Sequence, residues 1–215
     1  MIAAEDTRRT RVLLEAIGAD RPQLVALHAH NESAALARVL ERLADQDVAL
    51  VSDAGTPLLS DPGFELVRAC WQAGIDVIPV PGASAILAAL SVCPLPVGRF
   101  RFEGFLPARV AQRRERLQAL AAYDEASVIF EAPHRIAECL RDLATVVPER
   151  EVMIGREMTK RHEQYLRGTS ADLLQRLAAA DQLRGEFVIV LTGATGAARA
   201  PDVRRTMDVL ARELP

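Results

Sequence analysis

The chain has 215 residues, half of them hydrophobic and a quarter charged, with a formal net charge of −3. Such a length supports one large domain or two modest ones, each with a real core. No uncharged apolar run approaches the ~18 residues of a membrane span, and the near-neutral charge gives no global attraction to nucleic acid. The opening MIAAEDTRRT carries acids and bases where a signal peptide has its apolar run, and Cys70, Cys93 and Cys139 lie far apart without a CxxC pair. A soluble cytoplasmic protein with reduced thiols and no metal site is expected.

In chain order, residues 31–46 (NESAALARVLERLADQ) place apolar side chains at helical spacing, with Asn31 where an N-cap belongs. DVALVSD follows as a short buried strand, GFELVRACWQAG as a second helix ended by Gly74, IDVIPVPG as a second strand and ASAILAALSVC as a third helix. That alternation predicts a parallel sheet covered by helices, with ligands gathering at the carboxyl ends of the strands. CPLPVGRFRFEGFLP breaks the pattern and places a linker at residues 93–98, ahead of an extended RFRFEGF. The second half predicts a helix over 110–122, a strand in ASVIFEAP, a helix over 134–146, then EVMIGREMT, EQYLRGTSADLLQRLAA and a final strand in GEFVIVLTG. The expected domains are 1–95 and 96–194, with 195–215 a linker and the start of a helical tail.

Two loops and two later clusters carry candidate chemistry. SDAGTPLLSDPG has neither the GxxxxGK[ST] spacing of a P-loop nor the GxGxxG of a dinucleotide turn. It offers Asp53 at a strand end, where a carboxylate suits a ribose diol, and the small Ala54 and Gly55, which let a ligand approach the backbone. A purely structural turn is the alternative. VPGASA repeats the strand, Pro-Gly, helix arrangement, with Ser84 either a helix cap or a ligand contact.

In FEAPHR, Pro133 stands at a predicted helix start beside His134 and Arg135; in GREMTKRHE, Glu157, Lys160, His162 and Glu163 crowd together. Such a cluster is either an active-site group with mutually shifted pKa values or a surface ion-pair run. Lys160 is the one lysine among 26 basic side chains, and a lysine amine, unlike a guanidinium, can be tuned to act as a base. Residues 99–116 hold six arginines against Glu103 and Glu115, which makes either a solvated helix face or a patch that meets phosphates. The histidines are scattered, with only His28 and His30 close together, so a metal site is poorly supported; no GxSxG elbow supports a covalent hydrolase.

Taken in order, AEDTRRTRVLL, VSDAGTPLLSDPG, PGASAILAAL, FEGFLP, IFEAPHRI, REMTKRHE and GEFVIVLTG closely resemble the ribosomal RNA small subunit methyltransferase I family, within the tetrapyrrole-methylase-like superfamily. The resemblance covers residues 2–193. It implies a two-domain α/β fold, with a parallel N-domain sheet and a mixed C-domain sheet, holding S-adenosylmethionine between the domains. It implies methyl transfer to the ribose 2′-oxygen of a cytidine in the 16S ribosomal RNA of the 30S subunit, and a homodimer. By position, Asp53, Gly55, Thr56, Ser84 and Ala85 would line the cofactor, with Ala132 and Pro133 from the second domain. Lys160, supported by Glu157, is expected to assist the acceptor oxygen, with His134 beside Arg135 as the alternative. Asp6, Thr7, Arg8, Arg109, Arg113 and Arg135 are the expected RNA contacts. Compared with the family, the chain is expected to lack a first strand with its Pro/Gly loop and most of a C-terminal helical domain. The competing functions are a precorrin-type tetrapyrrole methylase and a non-catalytic module that binds cofactor or RNA.

Overall fold

The computed structural model describes residues 1–19, 22–28 and 31–194; His30 and the predicted tail lie outside them. The chain divides into two compact units, Met1–Ser84 and a second from Ala85 onward.

The first unit is built on three short parallel strands. β1 (Ile2–Ala4) lies between β2 (Leu24–Ala26) and β3 (Ala49–Val51). Helices α1 (Thr7–Ala16), α2 (Glu32–Leu43) and α3 (Phe64–Gln72) connect or follow them. Ala3, Val25, Leu27, Ala35, Val39, Leu66 and Cys70 form the core. The expected parallel sheet is present, with its helices joined by specific caps. Asp6 caps α1, its carboxylate accepting from the Arg8 N–H at 2.8 Å. Glu32 on α2 accepts from the N–H groups of Gly63 and Glu65 at 3.0 and 2.8 Å, which answers donors at the start of α3.

Two local expectations are corrected. Asn31 precedes α2, but its side chain makes no cap bond; it accepts from the His28 N–H and donates to the Ala26 carbonyl, closing the turn after β2 instead. IDVIPVPG pairs with no described strand, and Ile78 and Val80 are 81% and 83% exposed. β-branched residues favour an extended backbone, but a strand also needs a ladder neighbour, and none of the described strands supplies one.

The second unit contains α4 (Ala85–Ser91), β4 (Phe100–Phe105), α5 (Val110–Ala121), β5 (Ala126–Glu131), α6 (Ile136–Val146), β6 (Glu151–Arg156), β7 (Gln164–Thr169), α7 (Ser170–Ala179) and β8 (Phe187–Leu191). The sheet order is β4-β5-β8-β6-β7, parallel at β4/β5 and antiparallel elsewhere. All five residues of β8 are buried because both faces are covered. Phe187, Ile189 and Leu191 face a core with Leu117, Leu140 and Leu173, whereas Val188 and Val190 join Ile86, Ala89 and Leu95. That second cluster explains why the division falls after Ser84 and not near residue 95: α4 and buried Leu95 complete the second sheet, so residues 93–98 are not a free linker.

Arg113 is also corrected. Its side chain is 1% exposed, so it meets no RNA. From α5 its Nε donates to Asp142 on α6 at 2.7 Å, and its other nitrogens reach the Ala108 carbonyl and Glu138. Arg114 donates to the other oxygen of Asp142 at 2.6 Å. Burial alone would raise the Asp142 pKa, but Arg114 and Arg113 outweigh it and hold the carboxyl below its ordinary 3.8. Removing one partner of a buried pair strands the other. Asp142→Asn should therefore cost about 3 kcal/mol in urea unfolding. Because the folded pKa is depressed, the Asp142 contribution should be full above the ordinary value of 3.8 and should disappear as pH falls through the lower folded value.

Candidate functional site

The first unit gathers its candidate residues where β1 and β3 end. The Glu5 N–H donates to the Val51 carbonyl at 3.1 Å, continuing the ladder by one bond, and the Glu5 carboxylate accepts from the Asp53 N–H at 3.0 Å. Asp53 is then held by Arg9, whose Nη1 lies 3.1 Å from Oδ2. Beyond it, residues 53–56 are exposed and Gly55 sits at φ +70°. An added Cβ there would meet the Ala83 carbonyl at an ordinary 3.6 Å, so backbone geometry and not crowding calls for glycine. The Thr56 hydroxyl donates to that same carbonyl at 3.4 Å, which joins the SDAGTP turn to the PGASA turn. Ser84 and Ala85 follow directly, at the entry to α4.

This edge is acidic. Asp61 is pushed above its ordinary 3.8 by burial first and then by Glu5 and Asp53, against a lowering bond from Ser52. Three carboxylates with Arg9 among them, beside an exposed turn of small residues, suit a cationic ligand with hydroxyl donors. They would repel a phosphate. The turn is also strained: Leu58 and Ser60 adopt φ of +79° and +71°, a conformation that costs non-glycine residues about 1 kcal/mol each.

In the second unit the FEAPHR turn leaves the end of β5. Ala132 has both backbone groups engaged: its N–H donates to the Glu131 carboxylate at 2.9 Å, and its carbonyl accepts from the N–H groups of Arg135 and Ile136. Pro133 has no N–H, so this pair meets a ligand through shape and not through backbone donors. His134 is exposed. Arg135 is not free for RNA: its Nη2 donates to the carbonyls of Leu106 and Pro107 at 2.6 and 3.2 Å, and its Nε lies 3.2 Å from Glu131. Burial, and the Glu131 carboxylate beside it, push the Cys139 thiol above its ordinary 9.0, making it a core residue and no nucleophile.

After β6 the chain folds Lys160 between two carboxylates. Its Nζ lies 3.0 Å from Glu157 Oε1 and 3.0 Å from Glu186 Oε2, and Glu157 also accepts from the Glu186 N–H at 2.8 Å. Glu157 and Thr159 sit at φ +49° and +63°. Burial disfavours the Lys160 charge, but Glu157 and Glu186 outweigh it and raise the amine above its ordinary 10.5. The Glu186 N–H first, and then Lys160, hold Glu157 below its ordinary 4.5. Two of the three donors of the amine are thus used by carboxylates, and of the two readings, base or cationic group, this pairing favours the cation. Glu186 and Glu131 were not foreseen; each precedes or ends an apolar strand run, where an acid interrupting the run is the one available signal.

The RNA contacts expected from sequence are only partly available. Arg8 is exposed but binds Asp6 at 2.7 Å, and that same carboxylate is the helix cap. Arg114 and Arg113 serve Asp142, Arg116 binds Glu103, and Arg101 stacks 3.8 Å from the Tyr123 ring centre. Arg109 is exposed at the start of α5, in no ion pair among the described residues. No described group of three or more His, Cys, Asp and Glu side chains is placed to hold a metal, and no described helix is long and apolar enough to cross a membrane.

Comparison with known proteins bears on the fold and the family. The Tetrapyrrole (Corrin/Porphyrin) Methylases match residues 1–174, which defines the class of fold. The crystal structure of the methyltransferase CobJ aligns with a TM-score of 0.60 at 19% identity, covering 90% of this chain and 93% of that one. A uroporphyrin-III C-methyl transferase from Thermus thermophilus, complexed with S-adenyl homocysteine, aligns at 0.54 and 14% identity, covering 95% and 86%. Within that class the sequence is more specific. Ribosomal RNA small subunit methyltransferase I of Xylella fastidiosa (strain Temecula1) is 52% identical over all of this chain and 80% of its own length, and that of Pseudomonas aeruginosa is 44% identical over all of this chain and 78% of its own. The chain belongs to the ribosomal RNA small subunit methyltransferase I family.

Because Lys160 is the one lysine in 215 residues, its side chain gives an unambiguous NMR signal. Its titration midpoint should lie above 10.5. The raised value means that the pairing stabilises the fold below the ordinary pKa and is lost as pH rises through the folded one. Replacing Glu157 and Glu186 together by Gln should bring the midpoint back down; an unchanged midpoint would show that the carboxylates do not set it.

Proposed function

We propose that this chain transfers a methyl group from S-adenosylmethionine to the ribose 2′-oxygen of a cytidine in 16S ribosomal RNA, as a homodimer. The observation that carries the cofactor assignment is the acidic, small-residue edge formed by Glu5, Asp53, Gly55 and Thr56. S-adenosylmethionine supplies a methyl on a cationic sulfonium, together with a ribose diol. Asp53 accepts from the diol, Gly55 and Ala85 leave room for it, and Thr56 and Ser84 bracket the joined turns. Four-fifths of the length of the relatives named above is represented in this chain, and their printed names specify ribosomal RNA.

The transfer is an in-line displacement: the S–CH3 bond breaks, the O–CH3 bond forms, and the hydroxyl proton departs to solvent. Positioning supplies much of the rate. The third donor of Lys160 holds the acceptor oxygen and stabilises the charge that develops as its proton leaves, while Glu157 and Glu186 hold the amine in place. Arg8, Thr7 and Arg109 contribute the RNA contacts, with Arg8 leaving Asp6 to meet a phosphate. Arg135 and Arg113 take no part in them.

Single-turnover transfer to 30S particles tests the role of Lys160. Lys160→Met should slow the step by about 100-fold, the lower range for loss of a positioned donor. Lys160→Arg should keep a measurable part of the rate, because the cation persists. An arginine variant as inactive as the methionine variant would point to a base. Mass spectrometry of digested RNA should place the methyl on a cytidine 2′-oxygen; transfer to a precorrin and not to RNA would select the tetrapyrrole function.

A further inference from the structure

We propose that the surface cavity between the β6–β7 turn and the segment before β8 takes the target base of the RNA and selects cytosine over uracil. Glu163 accepts from the amino group of the base, and Arg156 and Gln182 donate to its ring acceptors. The proposal rests on the cytidine reading above. It needs only the second unit, to which every lining residue belongs.

The cavity measures about 350 Å³ and is lined by Arg156, His162, Glu163, Gln164 and Gln182. All five are polar, so a ligand is recognised there by hydrogen bonds and not by apolar burial. The hairpin builds one wall. Arg156 and Gln164 are the last pair of the β6–β7 ladder, and directly opposite residues share a face of the sheet. Arg156 Nη1 donates to Gln164 Oε1 at 3.1 Å, and its Nε donates to the Arg184 carbonyl at 2.7 Å. The guanidinium is thereby fixed between the hairpin and the segment that carries Gln182. The Gln182 N–H donates to the Leu177 carbonyl at 2.8 Å, which sets that residue against the end of α7. Glu163 closes the turn: its carboxylate accepts from the Thr159 N–H at 2.5 Å, and its own N–H donates to the Lys160 carbonyl at 3.2 Å. The cavity and Lys160 therefore share one turn.

The polar groups left over decide the ligand. Among the described residues, Arg156 Nη2, the Gln164 amide nitrogen and the Gln182 side-chain amide have no hydrogen-bond partner. The Glu163 carboxylate serves Thr159 and the Tyr165 hydroxyl, two of its roughly four acceptor sites. Several donors thus stand beside one strong acceptor. Cytosine offers the complement, with acceptors at N3 and O2 and a donor at its exocyclic amino group. Uracil places an oxygen where cytosine has that amino group, which would set two acceptors against each other. Adenine keeps the amino group but lacks the second ring acceptor. A phosphate would meet the Glu163 charge.

The first experiment titrates the 215-residue chain with cytidine and uridine 5′-monophosphate and follows the side-chain amide NMR signals of Gln164 and Gln182. The cytidine nucleotide should shift them saturably, and the uridine nucleotide should bind about tenfold more weakly or worse. In Glu163→Gln the new amide can turn to serve either base, so the two affinities should come within about twofold. Gln182→Leu should weaken the cytidine nucleotide about tenfold. The second experiment measures kcat/KM for 30S particles with cytidine or uridine at the methylated position. Glu163→Gln should lower the cytidine preference about tenfold and leave the KM for S-adenosylmethionine unchanged. No response to the cytidine nucleotide, an equal response to both, or a folded Glu163→Gln protein that keeps the preference overturns the proposal. Should that variant not fold, an unaltered cytidine affinity in Gln182→Leu overturns it. A preference with mononucleotides that is absent with 30S particles also overturns it, because the cavity would then serve free nucleotide. A methyl group found elsewhere than on a cytidine removes the reading on which the proposal rests, and is told apart by a mononucleotide preference that persists.

Discussion

Parallel strands all end at one edge, and in the first unit that edge is fixed by a single side chain. Glu5 extends the β1–β3 ladder through its own N–H and turns its carboxylate onto the Asp53 N–H. Strands of three residues carry few hydrogen bonds, so the direction of the chain leaving β3 depends on what catches it there. With Asp53 fixed, Gly55 can take its left-handed turn and Thr56 can reach Ala83. An acidic edge follows from the same bond. Burial first, and then the nearby Glu5 and Asp53, raise the Asp61 pKa, and a cationic ligand is what such an edge favours.

The same economy governs the arginines. With 25 of 26 basic side chains arginine, charge alone does not mark a nucleic-acid surface. The carboxylates sort them. Asp142 takes Arg113 and Arg114 for the α5–α6 contact, Glu103 takes Arg116, and Glu131 takes Arg135. Guanidinium groups suit these roles because the planar fork satisfies several acceptors at once. The lone lysine is treated differently. It is clamped by Glu157 and Glu186 yet remains partly exposed, so one donor faces outward from a cation whose position is set.

Much of the fold was legible because its strongest elements have long, regular patterns. α2, α3, α4, α5 and α6 and the apolar run of β8 follow from the sequence pattern. β1 and β2 were not legible: IAA and LVA are too short to show a period. IDVIPVPG looked like a strand because propensity is local, whereas pairing is not. Among site residues, the sequence brought together Glu157 with Lys160 and the two Gly/Pro turns. It could not supply Glu186, 26 residues from Lys160, or the use of Arg113 and Arg135 inside the fold. A cluster of arginines in sequence carries no record of which acids they will meet. Helical spacing came closest to revealing it: Asp142 lies one turn beyond Glu138 on α6, a face that Arg113 spans.

The central claim is that the edge built by Glu5, Asp53 and Gly55 holds S-adenosylmethionine, and calorimetric titration of the 215-residue chain with that cofactor tests it most directly. One binding event per chain is expected, weakened by about tenfold or more on Asp53→Ala, which removes an ionised acceptor worth roughly 1.5–3 kcal/mol. Absence of heat in the unaltered chain, or equal affinity in the Asp53→Ala protein, would contradict the claim.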